Sequence, residues 1–377
     1  MNLPATLYLE SPIMTDRNER HARIRAYLKQ HKLDAVVLQT RSNFAWFTGG
    51  GDNHVASQEE VGVAALVITS RQVTVVANAI EIERICNEEP VHGYAQKSFP
   101  WTQGIDVAIA KVLGKKKAAA DVPLPNCIPL PGDFQDSVRA SLTEEALRQY
   151  RSLGRDCSLA AETVARALNI GDSGHQVEAD LARHLLARGI QPFVLLVAFD
   201  DRLKSYRHPI PTVNHLRHHA MLVVCGRRHG LIASLTRLVH FGPIPKEISE
   251  RHAATCAVEL ALWQATQVGT SWGDALKAGI AEYKKQGFAK EWQLHHQGGP
   301  TGYSGRDFFA TPDEARLIQP DQAVAWNPSI TGTKSEDTFV LRPDNSRLMI
   351  TECSRNWPTV KVARRGETIQ RPAILQR

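Results

Sequence analysis

Residues 223–242 read VVCGRRHGLIASLTRLVHFG, and this stretch sets the reading of the rest of the chain. Apolar residues crowd both sides of Gly230, which predicts a pair of strands near 220–225 and 231–240. Outward from the pair, RHPIPT (207–212) precedes it, and HHQGGPTGYSGRD (295–307), AWNPS (325–329) and KSEDTFVL (334–341) follow. Further apolar runs near 192–199, 323–326 and 338–342 read as strands. Ser141-x-x-Glu144 has the form of a capping box before a helical pattern that reaches about Leu168. Ser173-x-x-Gln176 and Ser271-x-x-Asp274 open two more helices. Helices gathered between strand pairs predict α+β packing for this half.

The N-terminal half reads differently. A helix is predicted over 16–32 behind Asp16 as its cap, then a strand at Ala35–Leu38. NFAWFTGGGDNHV (43–55) reads as a loop carrying three glycines. Strands near Val63–Thr69 and Val73–Ala77 and helical stretches at 78–86 and 104–113 complete an α/β layer. Residues 118–133 are rich in proline, so the boundary is placed just behind them, dividing the chain into 1–135 and 136–377.

Composition narrows the function. The chain has 377 residues, 22% charged and 43% hydrophobic, values of a soluble globular protein with a large core. No apolar run approaches the ~20 residues of a membrane span, and the N-terminus lacks a basic-then-apolar leader, so a cytoplasmic protein is expected. Six scattered cysteines without a CxxC pair read as free thiols. The net charge of +6 is spread out, with no basic stripe interleaved with aromatics, which argues against nucleic acid. A small anionic substrate suits this charge.

The blocks from Arg207 to Leu341 resemble, in order and spacing, the catalytic half of the creatinase, proline aminopeptidase and methionine aminopeptidase family, the pita-bread fold. NFAWFTGG is similar to the end of a strand in that family's N-terminal domain. The resemblance implies a creatinase-like α/β domain followed by a pita-bread domain, and a homodimer. Metal-dependent members hold two ions with two Asp, one His and two Glu. Here the two Asp positions fall on Val223 and Ser234, and one Glu position on Asn327. His295 or His296 matches the His, and Glu336 the last Glu. One His and one carboxylate fall short of the three protein ligands of a catalytic zinc site, so neither a catalytic metal nor another cofactor is expected.

Creatinase, a hydrolase that works without metal, offers two further matches. Its base is a His before the first strand, matched by His208, and its substrate carboxylate is held by an Arg, matched by Arg306 in Gly305-Arg306-Asp307. A His near its free pKa of ~6.5 can activate water, and an Arg fork suits a carboxylate. Creatinase's two guanidinium-binding glutamates fall on Thr236 and Asn327, which suit a neutral amide or lactam better than creatine.

The expectation is therefore a metal-independent hydrolase cleaving a C–N bond in a small carboxylate-bearing substrate. His208 and Glu336 are its catalytic pair. Arg306, Asn327, Tyr303, His295, His296, Thr236 and Lys334 line the pocket, and Asp52 and His54 in the glycine loop reach a partner subunit's site. Three alternatives stay open. One is an Xaa-Pro aminopeptidase holding metal by His208, His296, Glu336 and Asp337, another a non-catalytic binding relative, the third a lyase or cyclase. His215, His218 and His219 read as surface, and Cys225 and Trp326 as packing.

Overall fold

A computed structural model describes residues 12–377, with side chains from residue 16 onward; the stretch read above for a leader lies largely outside this range. The chain forms two compact units. One runs through Arg139 and takes in Thr143–Arg148, and the other comprises Ala140–Leu142 and Gln149–Arg377.

The first unit is a six-stranded sheet flanked by helices. Its elements are α1 (Pro12–His31), β1 (Ala35–Thr40), α2 (Arg41–Thr48), β2 (Val61–Thr69), β3 (Val73–Asn78), α3 (Ile82–Glu88), β4 (Ala95–Phe99), α4 (Ile105–Leu113), β5 (Ala118–Ala120) and β6 (Cys127–Pro129). The strand order is β4-β3-β2-β1-β5-β6. Residues 43–48 are helical, correcting both the loop and the strand-end readings. The Thr40 hydroxyl caps α2 by accepting from Asn43 N, and Gly49 ends it at φ 83°, donating its N–H to Ala45 O. Phe44, Trp46 and Phe47 are buried, so burial of an aromatic face decides for helix where three glycines suggested a loop. α3 starts four residues later than expected, because Asn78 Oδ1 accepts from Ile80 N and Glu81 N and holds a turn there.

The second unit contains two four-stranded sheets. Its elements are α5 (Glu144–Ala167, of which the residues through Arg148 belong to the first unit), α6 (Gly174–Leu186), β7 (Gln191–Phe199), α7 (Asp201–Ser205), β8 (His219–Arg228), β9 (Leu231–His240), α8 (Lys246–Ala265), α9 (Trp272–Lys285), β10 (Gly298–Thr301), β11 (Gln322–Trp326), β12 (Ser329–Ile330), β13 (Thr333–Lys334), β14 (Asp337–Leu341), β15 (Arg347–Met349), β16 (Thr359–Arg364), β17 (Glu367–Pro372) and β18 (Leu375–Gln376). One sheet runs β18-β9-β8-β7 and the other β10-β11-β14-β15. They meet where Thr236 N donates to Glu336 O at 3.0 Å.

Packing fixes what lies behind each sheet. Leu262, Trp272 and Tyr283 of α8 and α9 pack with Trp326, Phe339 and Leu341 of the second sheet. A Cβ on Gly226 of β8 would lie 2.6 Å from Cys157 Sγ, so only glycine lets α5 approach the first sheet there. Ser173 forms the expected capping box with Gln176, and Ser271 accepts from Asp274 N. Ser141 does not cap α5. Its hydroxyl donates to Pro320 O, and Thr143 accepts from Ala146 N instead. His219 is also not a surface residue. It is buried at the start of β8, its ring nitrogens on Val239 O and Gly332 O, and burial pushes its pKa down to about 4. No described helix is long and apolar enough to cross a membrane.

Candidate active site

The strand pair that opens the sequence reading forms the floor. Strand alternation puts Val223 and Cys225 of β8 and Ser234 and Thr236 of β9 on one face, in register Val223↔Thr236 and Cys225↔Ser234. Arg237 and Asp337 turn to the opposite face. There Asp337 binds Arg237 at 3.0 Å and Arg371 at 2.8 Å, and Thr351 Oγ1 donates to it at 2.8 Å. The set His208, His296, Glu336 and Asp337 is therefore not assembled, because period-two alternation separates its two carboxylates.

Glu336 is buried on the site face and held by three donors. Lys334 Nζ lies at 2.7 Å, Arg306 Nη2 at 3.2 Å, and the Thr236 hydroxyl donates at 2.8 Å. Burial pushes the carboxyl up, but Lys334 and Arg306 outweigh it and hold its pKa at about 2. With two cations and one anion, this cluster carries a net positive charge. Arg306 also donates to Gly305 O, yet its buried Nε has no partner.

Three histidines converge beside this cluster. His208 lies on the rim, on the loop between α7 and β8, while His295 and His296 follow a short 3₁₀ turn at Glu291–Leu294. His295 Nε2 is 3.1 Å from His208 Nε2, and His295 Nδ1 is 3.1 Å from Ser329 Oγ. The His296 ring stacks on Phe309 at 4.1 Å between centroids, and its buried Nδ1 has no partner. Burial lowers the pKa of all three rings, His296 to about 4, with Lys334 or Arg306 adding to the effect. His295 and His296 both stand in one cluster with His208.

The loops are tied by groups that carry no motif. The Tyr283 hydroxyl of α9 donates to Gln297 Oε1 at 2.8 Å and accepts from Ser329 N at 2.9 Å. Arg207 reaches Glu291 at 2.5 Å and Ser329 Oγ at 3.2 Å, fixing the loop that bears His208. Sequence reading missed Arg207, Ser329, Glu291 and Phe309. Arg207 stood next to His208 and Ser329 closed the Asn-Pro-Ser block, so adjacency was their only signal.

Asn327 follows β11, its N–H on Gln297 O at 3.0 Å and its buried Oδ1 unpartnered. Tyr303 is buried on the loop between β10 and Arg306. Asp52 and His54 belong to the first unit, where Asp52 takes a two-pronged contact from Arg41 at 3.1 and 2.8 Å and pairs with His54 at 2.7 Å.

Residues 20–123 match the Creatinase/Prolidase N-terminal domain. The prolidase from Pyrococcus horikoshii OT3 superposes with a TM-score of 0.76 at 14% identity, covering 90% of this chain and 99% of that one. The chain has the creatinase–prolidase fold. Dipeptidase PepE from Mycobacterium ulcerans shares it at TM-score 0.74 and 17% identity, covering 90% and 96%. The N-terminal domain of the FACT complex subunit SPT16 from Cicer arietinum (chickpea) shares it at 0.66 and 10%, covering 90% and 97%. The creatinase–prolidase fold thus occurs both in proteins named as peptidases and in a subunit of a complex. No curated protein matches the chain in sequence.

The residues here do not fit the carboxylate-held metal pair that the resemblance implies for this fold. Val223 sits in an apolar cluster with Leu196, Ala198, Met221 and Leu238, and Glu336 is already taken by two cations.

Proposed function

We propose that the second unit is a metal-independent hydrolase that cleaves a C–N bond in a small carboxylate-bearing substrate. One observation carries this reading. Three buried polar atoms on or beside the segments that bear the histidines and Arg306, namely Arg306 Nε, Asn327 Oδ1 and His296 Nδ1, lack partners. Orphaned buried groups are rare and costly, so their gathering in one place marks a site completed by a ligand. The ligand's charge follows from the excess cation of the Lys334–Glu336–Arg306 cluster, which a substrate carboxylate neutralises. Asn327 Oδ1 accepts an N–H, as an amide or lactam offers.

The chemistry rests on the histidine relay. With Nδ1–H of His295 donating to Ser329 Oγ, its Nε2 accepts from Nε2–H of His208. His208 Nδ1 then bears the lone pair that takes a proton from water as the oxygen adds to the scissile carbon. The same proton passes to the leaving nitrogen, and the C–N bond breaks to give an acid and an amine. Glu336, ionised throughout the ordinary pH range, orients Lys334 and Arg306 rather than relaying protons.

The test is turnover of a panel of small-acid amides and lactams by chelator-treated protein. Activity that survives chelation and falls by about 10²–10⁴ in His208→Ala supports the reading; full turnover in that variant overturns it. A second reading, an Xaa-Pro dipeptidase, is favoured by the likeness to prolidases and a dipeptidase. Xaa-Pro dipeptides therefore belong in the same panel, with and without manganese.

A further inference from the structure

We infer that His208, His295 and His296 together form a seat for one divalent transition-metal ion of the zinc and cobalt class, apart from the carboxylate positions of this fold. One ring nitrogen from each of the three lies within 4.8 Å of the others. Zinc–nitrogen bonds of about 2.0–2.1 Å place tetrahedral ligands ~3.3 Å apart. The His208–His295 pair at 3.1 Å already has that spacing. His296 closes the set by rotating its ring, and its buried Nδ1 has no hydrogen bond to give up.

The donor chemistry agrees with the geometry. Three imidazoles and no carboxylate select zinc, cobalt or copper over magnesium, calcium or manganese. Ser329 Oγ on His295 Nδ1 is the outer partner that fixes a metal-binding imidazole and leaves its Nε2 for the ion. His208 on the exposed rim leaves one side open for a fourth ligand. Lys334 and Arg306 oppose a dication here, and Glu336 offsets only one of them. The fourth ligand is accordingly an anion, so a small carboxylate should tighten metal binding.

The consequence rests on the proposed hydrolase reading. A neutral imidazole that gives Nε2 to a metal must carry its proton on Nδ1. Metal on His208 therefore removes the lone pair that activates water, and the ion acts as an off-switch.

The experiment uses the full chain, stripped with a chelator, dialysed and titrated at neutral pH. Cobalt is followed by its visible absorption and zinc by calorimetry, with and without formate. One ion per chain is expected. His208→Ala, on the rim where folding is safe, and His296→Ala should each weaken binding by about tenfold or more, and His175→Ala on exposed α6 should not. Formate should tighten binding. Absence of saturable binding, or binding unchanged in His208→Ala, overturns the site. Turnover separates the two proposals. If the stripped chain is active and zinc stops it, both stand. Zinc bound at the histidines but required for turnover keeps the site and ends the metal-free reading. An active stripped chain that ignores zinc keeps the hydrolase and ends the site.

Discussion

Glu336 and Asp337 are neighbours in sequence and both are buried, yet they live in opposite electrostatic worlds. Asp337 belongs to a closed lattice. Arg237 spans to Glu162 and Asp337, Arg371 spans to Glu259 and Asp337, and Ser335 donates to Glu259. Glu336, one peptide away on the other face, has two cations for one charge and neighbours with orphaned atoms. A saturated network of buried charges rigidifies and does nothing else, because every lone pair is spoken for. An unsaturated one costs stability and is kept where a ligand completes it. Alternation of side chains along Lys334–Asp337, the join between β13 and β14, lets a single segment serve both.

The lattice should give the largest effect when broken. Arg371→Met leaves Glu259 and Asp337 buried with one cation fewer, a change that costs about 3–5 kcal/mol. Urea unfolding reads it directly. A loss under about 1 kcal/mol would mean the lattice is not what anchors this strand. Formate should not rescue the variant, since the gap lies between the carboxylates of Glu259 and Asp337.

The site side should behave otherwise. Glu336→Gln keeps the shape and strands Lys334 and Arg306, but Arg306 Nε has no partner and is the donor on which an added anion can dock. The expected loss is about 2 kcal/mol, less than for the lattice, and formate should restore most of it. Equal losses without formate rescue would erase the contrast between the two faces.

How much of this was legible in the sequence depended on the kind of signal. Strand pairs came through because apolar residues crowd both sides of a glycine turn, as around Gly230. Convergence of His208, His296 and Arg306 was legible only through block order, since each lies on a different loop. The helix at Arg41–Thr48 was misread because its glycines follow it as a cap, while burial of Phe44, Trp46 and Phe47 decides its form. His219 was misread because two carbonyls far away in sequence, Val239 and Gly332, make its burial tolerable. The clamp of Arg207, Glu291 and Ser329 spans over a hundred residues and has no local pattern.

Acid should sharpen the comparison. His252 abuts the lattice, its ring nitrogens on Thr333 Oγ1 and Pro372 O, and burial pushes its pKa from 6.5 down to about 4. A lowered folded pKa means the unfolded chain binds the proton first. Stability is therefore whole above pH 6.5, falls below it, and stops falling from this cause near pH 4. Glu336, lowered from 4.5 to about 2, contributes fully above pH 4.5 and is lost only as pH falls toward 2. Between pH 6.5 and 5, then, the histidines act and Glu336 does not. At pH 5.5 His252 alone should cost about 1.4 kcal/mol, and so should His219. Thermal unfolding of His252→Gln should show a correspondingly shallower slope over that window, and an unchanged slope would assign the acid sensitivity elsewhere.

The smallest expected change in stability tests the open side most finely. Ser329→Ala removes a hydroxyl that meets both His295 Nδ1 and Arg207, at a cost of about 1 kcal/mol. Stability alone would not separate a positioning role from simple packing, but the tautomer does. Without Ser329 Oγ as acceptor, His295 has no reason to keep its proton on Nδ1 and should move it to Nε2, toward His208. That reverses the relay. His208 then accepts at Nε2, holds its proton at Nδ1, and loses the lone pair that meets water. Nitrogen NMR of the metal-stripped protein should show both rings exchanging tautomers, with kcat down about tenfold and KM unmoved. Ser329→Thr, which restores the hydroxyl, should restore the original tautomers. Unchanged ring signals in Ser329→Ala would leave the hydroxyl a packing group, and the side of the strand that looks unfinished would owe nothing to this relay.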